Sequence, residues 1–116
     1  MIERRHTGTK IHVPVMPKEV LSSLTISTGG IYLDGTVGLG GHATLILKQL
    51  SPEGHLIGID RDAEALNECK KRLSDFPTPI SLFHDSYHNI NSILDGLGID
   101  TVNGILLDLG LSSLQL

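Results

Sequence analysis

Between Ile31 and His42 the chain reads Ile-Tyr-Leu-Asp-Gly-Thr-Val-Gly-Leu-Gly-Gly-His, and this stretch limits the possible folds more than any other. An apolar run of strand character ends in a carboxylate, Asp34, and Gly35, Gly38, Gly40 and Gly41 follow within seven positions. A turn needs that many glycines where the backbone takes positive φ values or where another molecule must touch it. A helix opening at Gly41 would aim unpaired N–H groups and the positive end of its dipole at the turn. The stretch therefore predicts a strand–loop–helix unit that binds a nucleotide-type ligand. It is not the G-x-G-x-x-G of dinucleotide enzymes, and no Gly-Lys-Ser/Thr follows to make a P-loop.

The next apolar run, His55-Leu56-Ile57-Gly58-Ile59-Asp60, ends in a carboxylate 19 residues after Gly41. An acidic side chain at that spacing suits the hydroxyls of a ribose. Loop and carboxylate together favour an adenosine-containing cofactor. Ile80–His84 and Ile105–Asp108 read as two more strands. Helices are expected from Pro17 to about Leu24, from Gly41 to about Leu50, from an Asp62 cap to about Leu73, and around Ile90–Leu97 before Gly98. Strands alternating with helices imply a parallel sheet with right-handed crossovers, and near-continuous apolar strands imply that both faces are covered. Asp34, Asp60, His84-Asp85 and Asp108 all fall at strand carboxyl ends, where an open α/β sheet binds ligands.

Composition narrows the partners. Aromatic residues make up only 3% of the 116, so the core is aliphatic, and the net charge of −4 argues against gripping nucleic acid through the chain's overall field. Arg4, Arg5 and Lys10, and later Lys70, Lys71 and Arg72, read as solvated surface. Cys69 is the only cysteine, so no internal disulfide can form, and its spacing with Leu66 and Leu73 places it in the core. Without an apolar signal segment or a membrane-length run, a cytoplasmic location is expected. His84 and His88 are four apart, but they straddle a strand end and a loop, so no metal site is expected.

Four segments together resemble one family: His12-Val13-Pro14-Val15-Met16 with Glu19-Val20; Asp34-Gly35-Thr36-x-Gly38-x-Gly40-Gly41-His42; Ile59-Asp60-Arg61-Asp62; and Leu107-Asp108-Leu109-Gly110-x-Ser112-Ser113-x-Gln115-Leu116. They are similar to the N-terminal part of the RsmH (MraW) family, bacterial enzymes that use S-adenosylmethionine to methylate N4 of a cytidine in 16S rRNA of the small ribosomal subunit. The resemblance implies a Rossmann-like class I methyltransferase fold with the first four strands present. Residues 1–12 are polar and expected to be a mobile arm, and the resemblance implies a cofactor-binding domain over 13–116, incomplete at its C-terminus. Residue by residue, it implies cofactor contacts at Gly40, Gly41, His42, Asp60, Tyr87, Asp108 and Gln115. Tyr87 stands where relatives often have Phe, and Leu114 where Pro is usual.

In that reading Asp60 accepts from ribose, and Tyr87 packs on adenine, with Asp85 as an alternative polar contact there. Asp108 is the candidate to orient the cytosine amine and offset its developing charge. Related amine methyltransferases carry Asp/Asn-Pro-Pro-aromatic at this place, whereas this chain has Asp108-Leu109-Gly110-Leu111. The alternatives are an NAD-binding Rossmann domain and a non-catalytic nucleoside-binding module. The chain is expected to be a fragment or a truncated product. With strand 104–107 then at a bare sheet edge, self-association through that edge is expected.

Overall fold

The computed structural model describes residues 2–6, 9–13, 15–23 and 25–108, with side chains from Val15 to Leu21 and from Thr25 to Asp108. Strands β1 (Ile2–His6) and β2 (Thr9–Val13) pair as an antiparallel hairpin, with Ile2 opposite Val13 and His6 opposite Thr9. The sequence reading assigned no strand to this segment.

The main sheet is parallel and has five strands in the order β3-β7-β4-β5-β6. They are β3 (Val15–Pro17), β4 (Ile31–Asp34), β5 (His55–Asp60), β6 (Ile80–His84) and β7 (Gly104–Leu107). Between them lie α1 (Gly41–Leu47), α2 (Ala63–Leu73) and α3 (Ile90–Gly96). The four expected strands are all in place. The fifth, β3, was not expected: Val15, Met16 and Pro17 pair with Ile105, Leu106 and Leu107. Strand β7 is therefore flanked on both sides, and the expected bare edge at 104–107 is corrected. Pro17 ends this strand instead of opening a helix, and Lys18–Ser23 forms a 3-10 turn where an α-helix was expected.

Side-chain alternation along each strand divides the core into two layers. Tyr32, Leu56 and Leu106 pack with Ala43, Ile46 and Leu47 of α1 and Leu66, Cys69 and Leu73 of α2. Leu33, Ile57, Ile105 and Leu107 point the other way, against Ile93 and Leu94 of α3. The sheet is thus covered on both faces, as its apolar strands predicted. Helix α2 begins as its sequence indicates, with the Asp62 carboxylate accepting from the Glu64 and Ala65 amides. Chain order reverses between β4 and β7, so the switch point lies between Asp34 and Asp108.

Candidate functional site: the carboxyl edge of the sheet

The loop after β4 is held by the ends of its two neighbouring strands, β7 and β5. The Gly35 amide donates to the Leu106 carbonyl of β7, and the Val37 amide to the Ile59 carbonyl of β5, both at 2.9 Å. The Gly38 amide donates to Asp60 Oδ2 at 2.7 Å. Thr36 Oγ1 accepts from the Asp108 amide at 2.8 Å. Beside them, the Asp85 amide after β6 donates to the Asp60 carbonyl at 2.9 Å. Four strand ends are thereby tied into one ridge.

The glycines do different work. A Cβ at Gly35 would lie 3.1 Å from Tyr87 Cβ and overlap the Leu107 side chain, so Gly35 lets the loop sit against both. Gly40 has φ +91°, and a Cβ there would meet Cys69 Sγ at 3.0 Å. Its missing side chain thus faces the core under α2. Gly41 is the reverse, because a Cβ there would meet nothing within 4 Å. Gly41 faces open space, as a position that admits a ligand would.

Asp60 is half-buried, and each oxygen accepts one backbone amide: Oδ2 from Gly38 and Oδ1 from Asp62 at 2.9 Å. A carboxylate offers about four lone-pair sites, so Asp60 keeps capacity for a hydroxyl pair. Asp34 is fully buried. Burial pushes its carboxyl above the usual carboxylate range, while Lys18, the Thr36 amide and His42 pull the other way. Lys18 Nζ lies 2.9 Å from Asp34 Oδ1, and Asp34 Oδ2 has no hydrogen-bond partner.

Tyr87 sits beside Gly35, with its ring stacked on His88 at 4.3 Å between centroids. Asp85 Oδ1 accepts from Asn89 Nδ2 and from the Ser86 amide, each at 2.7 Å. The Asn89 bond, with help from Ser86, holds the Asp85 carboxyl below its usual range. His84 Nε2 is 2.9 Å from the Arg61 carbonyl, and His88 Nδ1 is 2.8 Å from Ser86 Oγ. Among the described residues no three His, Cys, Asp or Glu side chains gather as a metal site would require. Cys69 is buried beneath Gly40, and burial pushes its thiol up to about 11.

Gly40, Gly41, His42, Asp60, Tyr87 and Asp108 therefore lie at one edge of the sheet, on the glycine loop, the first turn of α1, the end of β5, a 3-10 turn after β6 and the end of β7, with Asp108 exposed. Gln115 lies outside the described residues. The sequence reading missed Lys18 and Thr36. One signal for Lys18 was available: a carboxylate that ends a strand covered on both faces, as Asp34 does, needs a cation.

This architecture and the glycine loop can be set beside known proteins. The family model described as the MraW methylase family matches residues 9–116. This chain belongs to the MraW methylase family. It is 49% identical over 105 residues to the ribosomal RNA small subunit methyltransferase H of Clostridium botulinum strain Hall, covering 90% of this chain and 34% of that protein. The protein of the same name from Pelobacter propionicus is 50% identical over 106 residues, with 90% and 34% covered. The chain spans about a third of the length of these curated relatives. Among solved structures, a crystal structure described as an rRNA methylase from Clostridium thermocellum has a TM-score of 0.56 at 20% identity, covering 64% of this chain and 40% of that one. The cyclopropane synthase MmaA2 of Mycobacterium tuberculosis has a TM-score of 0.60 at 15% identity, covering 78% and 29%. These two likenesses show the Rossmann-like methyltransferase fold.

Proposed function

We propose that residues 13–116 are the S-adenosylmethionine-binding part of an rRNA methyltransferase acting on N4 of a decoding-region cytidine in 16S rRNA. The substrate would be the small ribosomal subunit, which places the protein in the cytoplasm, in ribosome biogenesis. The observation that carries the reading is the joining of the glycine loop to Asp60 and Asp108 at the switch point, in a chain of the MraW methylase family. The family match also favours this over an NAD-binding domain. No described helix is long and apolar enough to cross a membrane.

The residues fit the cofactor. Gly41 leaves open space beside the loop, and Asp60 keeps unused acceptor sites aimed from the same edge. S-adenosylmethionine, when bound, supplies an electrophilic methyl on a sulfonium. The chain's part is to hold and orient. Asp60 accepts from the ribose hydroxyls, charge-assisted bonds worth roughly 1.5–3 kcal/mol. The Tyr87 ring packs on adenine, and His42 contacts the cofactor from the first turn of α1. Gln115 completes the contacts. Asp108 orients the cytosine amine and offsets the positive charge that grows on its nitrogen, a weak nucleophile because its lone pair is delocalised.

Calorimetry tests the first half of this reading. S-adenosylhomocysteine should bind and NAD should not; tighter binding of NAD would overturn the assignment. Methyl transfer to purified small subunits tests the second half, with a full-length relative as the positive control. Cofactor binding by this chain without transfer would leave the non-catalytic nucleoside-binding reading in its place for these 116 residues.

A further inference from the structure

Lys18, Asp34 and Thr78 are the buried polar side chains among the described residues, and two of them form one ion pair. Lys18 follows directly on β3, whose last residue pairs with Leu107, so its backbone arrives beside the carboxyl end of β7. From there the ammonium crosses to β4. It pairs with Asp34 Oδ1 at 2.9 Å and also donates to the Thr36 carbonyl. The Thr36 amide in turn donates to Asp34 Oδ1 at 3.1 Å, and Thr36 Oγ1 accepts from the Asp108 amide. One side chain from the N-terminal segment thus reaches both the base of the glycine loop and the residue that anchors it to β7.

We propose that Lys18 is a positioning residue for the cofactor loop, fixing residues 35–38 by holding the Asp34 carboxylate and the Thr36 carbonyl together. This rests on the reading of that loop as the S-adenosylmethionine site. The ordinary alternative is a buried ion pair that serves folding alone. Three features favour positioning. Lys18 is only 5% exposed, so its charge acts at full strength on what it touches. Its two partners are the last residue of β4 and the second residue of the loop, not two packing elements. Asp34 Oδ2 stays without a partner, so the pair is not the best-satisfied arrangement that burial could select. Asp34 is faced by Lys18 from the 3-10 turn, by His42 from α1 and by Cys69 from α2. Without Lys18, no nearby ammonium opposes the desolvation of this carboxylate. It would take up a proton and accept the Thr36 amide more weakly.

The test compares the wild-type chain, Lys18→Met and the double variant Lys18→Met/Asp34→Asn. The measurements are melting temperature, S-adenosylhomocysteine affinity from pH 6 to 9, and exchange of the Thr36 and Gly38 amides without ligand. Lys18→Met is expected to bind about tenfold or more weakly and to exchange both amides about tenfold faster, the size of a lost charge-assisted bond. Its affinity should improve with rising pH as Asp34 ionises, relative to the wild-type profile. If Lys18→Met does not fold, the double variant decides, because removing both charges relieves the buried imbalance. It should recover melting temperature but not affinity, because the Thr36 carbonyl still lacks its donor. A folded Lys18→Met with wild-type affinity and exchange overturns the proposal, and so does full affinity in the double variant. If the wild-type chain does not bind at all, the cofactor reading fails instead. The exchange rates then decide Lys18's role: faster exchange supports it, and unchanged exchange overturns it.

Discussion

The two ends of this sheet are built from the same strands but closed in different ways. At the amino end the bonds that join separate segments are between neutral groups, and the carboxylate there, Glu53, accepts from Ser51 Oγ within its own turn. The Ile31 amide donates to Asn103 Oδ1 at 2.9 Å, the Ser27 amide to the Tyr32 hydroxyl at 2.9 Å, and His55 Nε2 meets Ser81 Oγ at 2.8 Å. At the carboxyl end carboxylates join the carbonyls as acceptors. Asp60 serves two amides and has capacity left, and Asp34 is paired on one oxygen and orphaned on the other. An unsatisfied buried acceptor costs about 1–3 kcal/mol. The difference teaches that one end is satisfied internally, while the other leaves acceptor capacity unused, at Asp60 on the side where the proposed cofactor would sit and at Asp34 inside the core.

The strongest way to break that contrast is Gly40→Val, because Gly40 belongs to both stories. It lies in the loop at the carboxyl end, yet its Cβ direction is filled by Cys69 Sγ. A side chain there meets positive-φ strain of about 1–2 kcal/mol and overpacking of about 1–3 kcal/mol. S-adenosylhomocysteine binding should vanish, and denaturant unfolding should show a loss of roughly 3 kcal/mol. Wild-type binding and stability would mean that the loop repacks freely and the two ends are less distinct than their bonds suggest. Asp60→Ala comes next. It should weaken S-adenosylhomocysteine by about tenfold or more with a smaller stability loss, because the Gly38 and Asp62 amides it frees can turn to water. Unchanged affinity in the folded variant would place the ribose elsewhere.

How much of this was legible in the sequence follows the same division. The strands, the layers and the carboxylates at strand ends could be read because apolar period and turn chemistry are local. The Asp62 cap was legible for that reason, and so was Cys69 in the buried stripe. Strand β3 was not, because three residues that include a proline carry no periodic signal; only their pairing with Ile105–Leu107 makes them a strand. The covered edge of β7 went unseen with it. Lys18 and Thr36 escaped because their roles depend on contacts 18 and 72 residues away in sequence. The two roles of Gly40 and Gly41 look identical in sequence and separate only when α2 is packed beneath one of them.

Titration sharpens the comparison, since the two ends should fail at opposite pH extremes. Burial holds the Cys69 thiol up to about 11, against an ordinary 9.0. A raised value means that the stability tied to the neutral thiol is fully present below pH 9 and is lost as pH climbs through about 11. The loss should be on the order of 2 kcal/mol, read as the alkaline slope that Cys69→Ala lacks. A thiol reagent at pH 8 should also react slowly until the chain unfolds. At the amino end, burial depresses half-buried His55 below its ordinary 6.5. Its contribution is present above that value and is lost as pH falls, so His55→Gln should flatten the acid limb. Matching slopes in wild type and variants at both extremes would remove the electrostatic half of the contrast.

The smallest effect should come from Asn103→Ala, and it tests whether the ends are separable at all. Asn103 Oδ1 is the acceptor for the Ile31 amide, at a site open to water. The backbone bond from the Asn103 amide to the Ile31 carbonyl, at 2.7 Å, does not depend on the side chain. The substitution therefore removes one neutral bond whose donor can be rehydrated, and stability should fall by about 1 kcal/mol or less. The glycine loop begins at the far end of β4, about 10 Å away at the rise of a parallel strand. Sites that far apart with no shared partner act independently, so S-adenosylhomocysteine affinity should stay within about twofold of wild type. Chemical denaturation and calorimetry on the same preparation give both numbers. If affinity falls along with stability, strain at Ile31 travels the length of β4 into Asp34, and the amino end is part of the binding machinery.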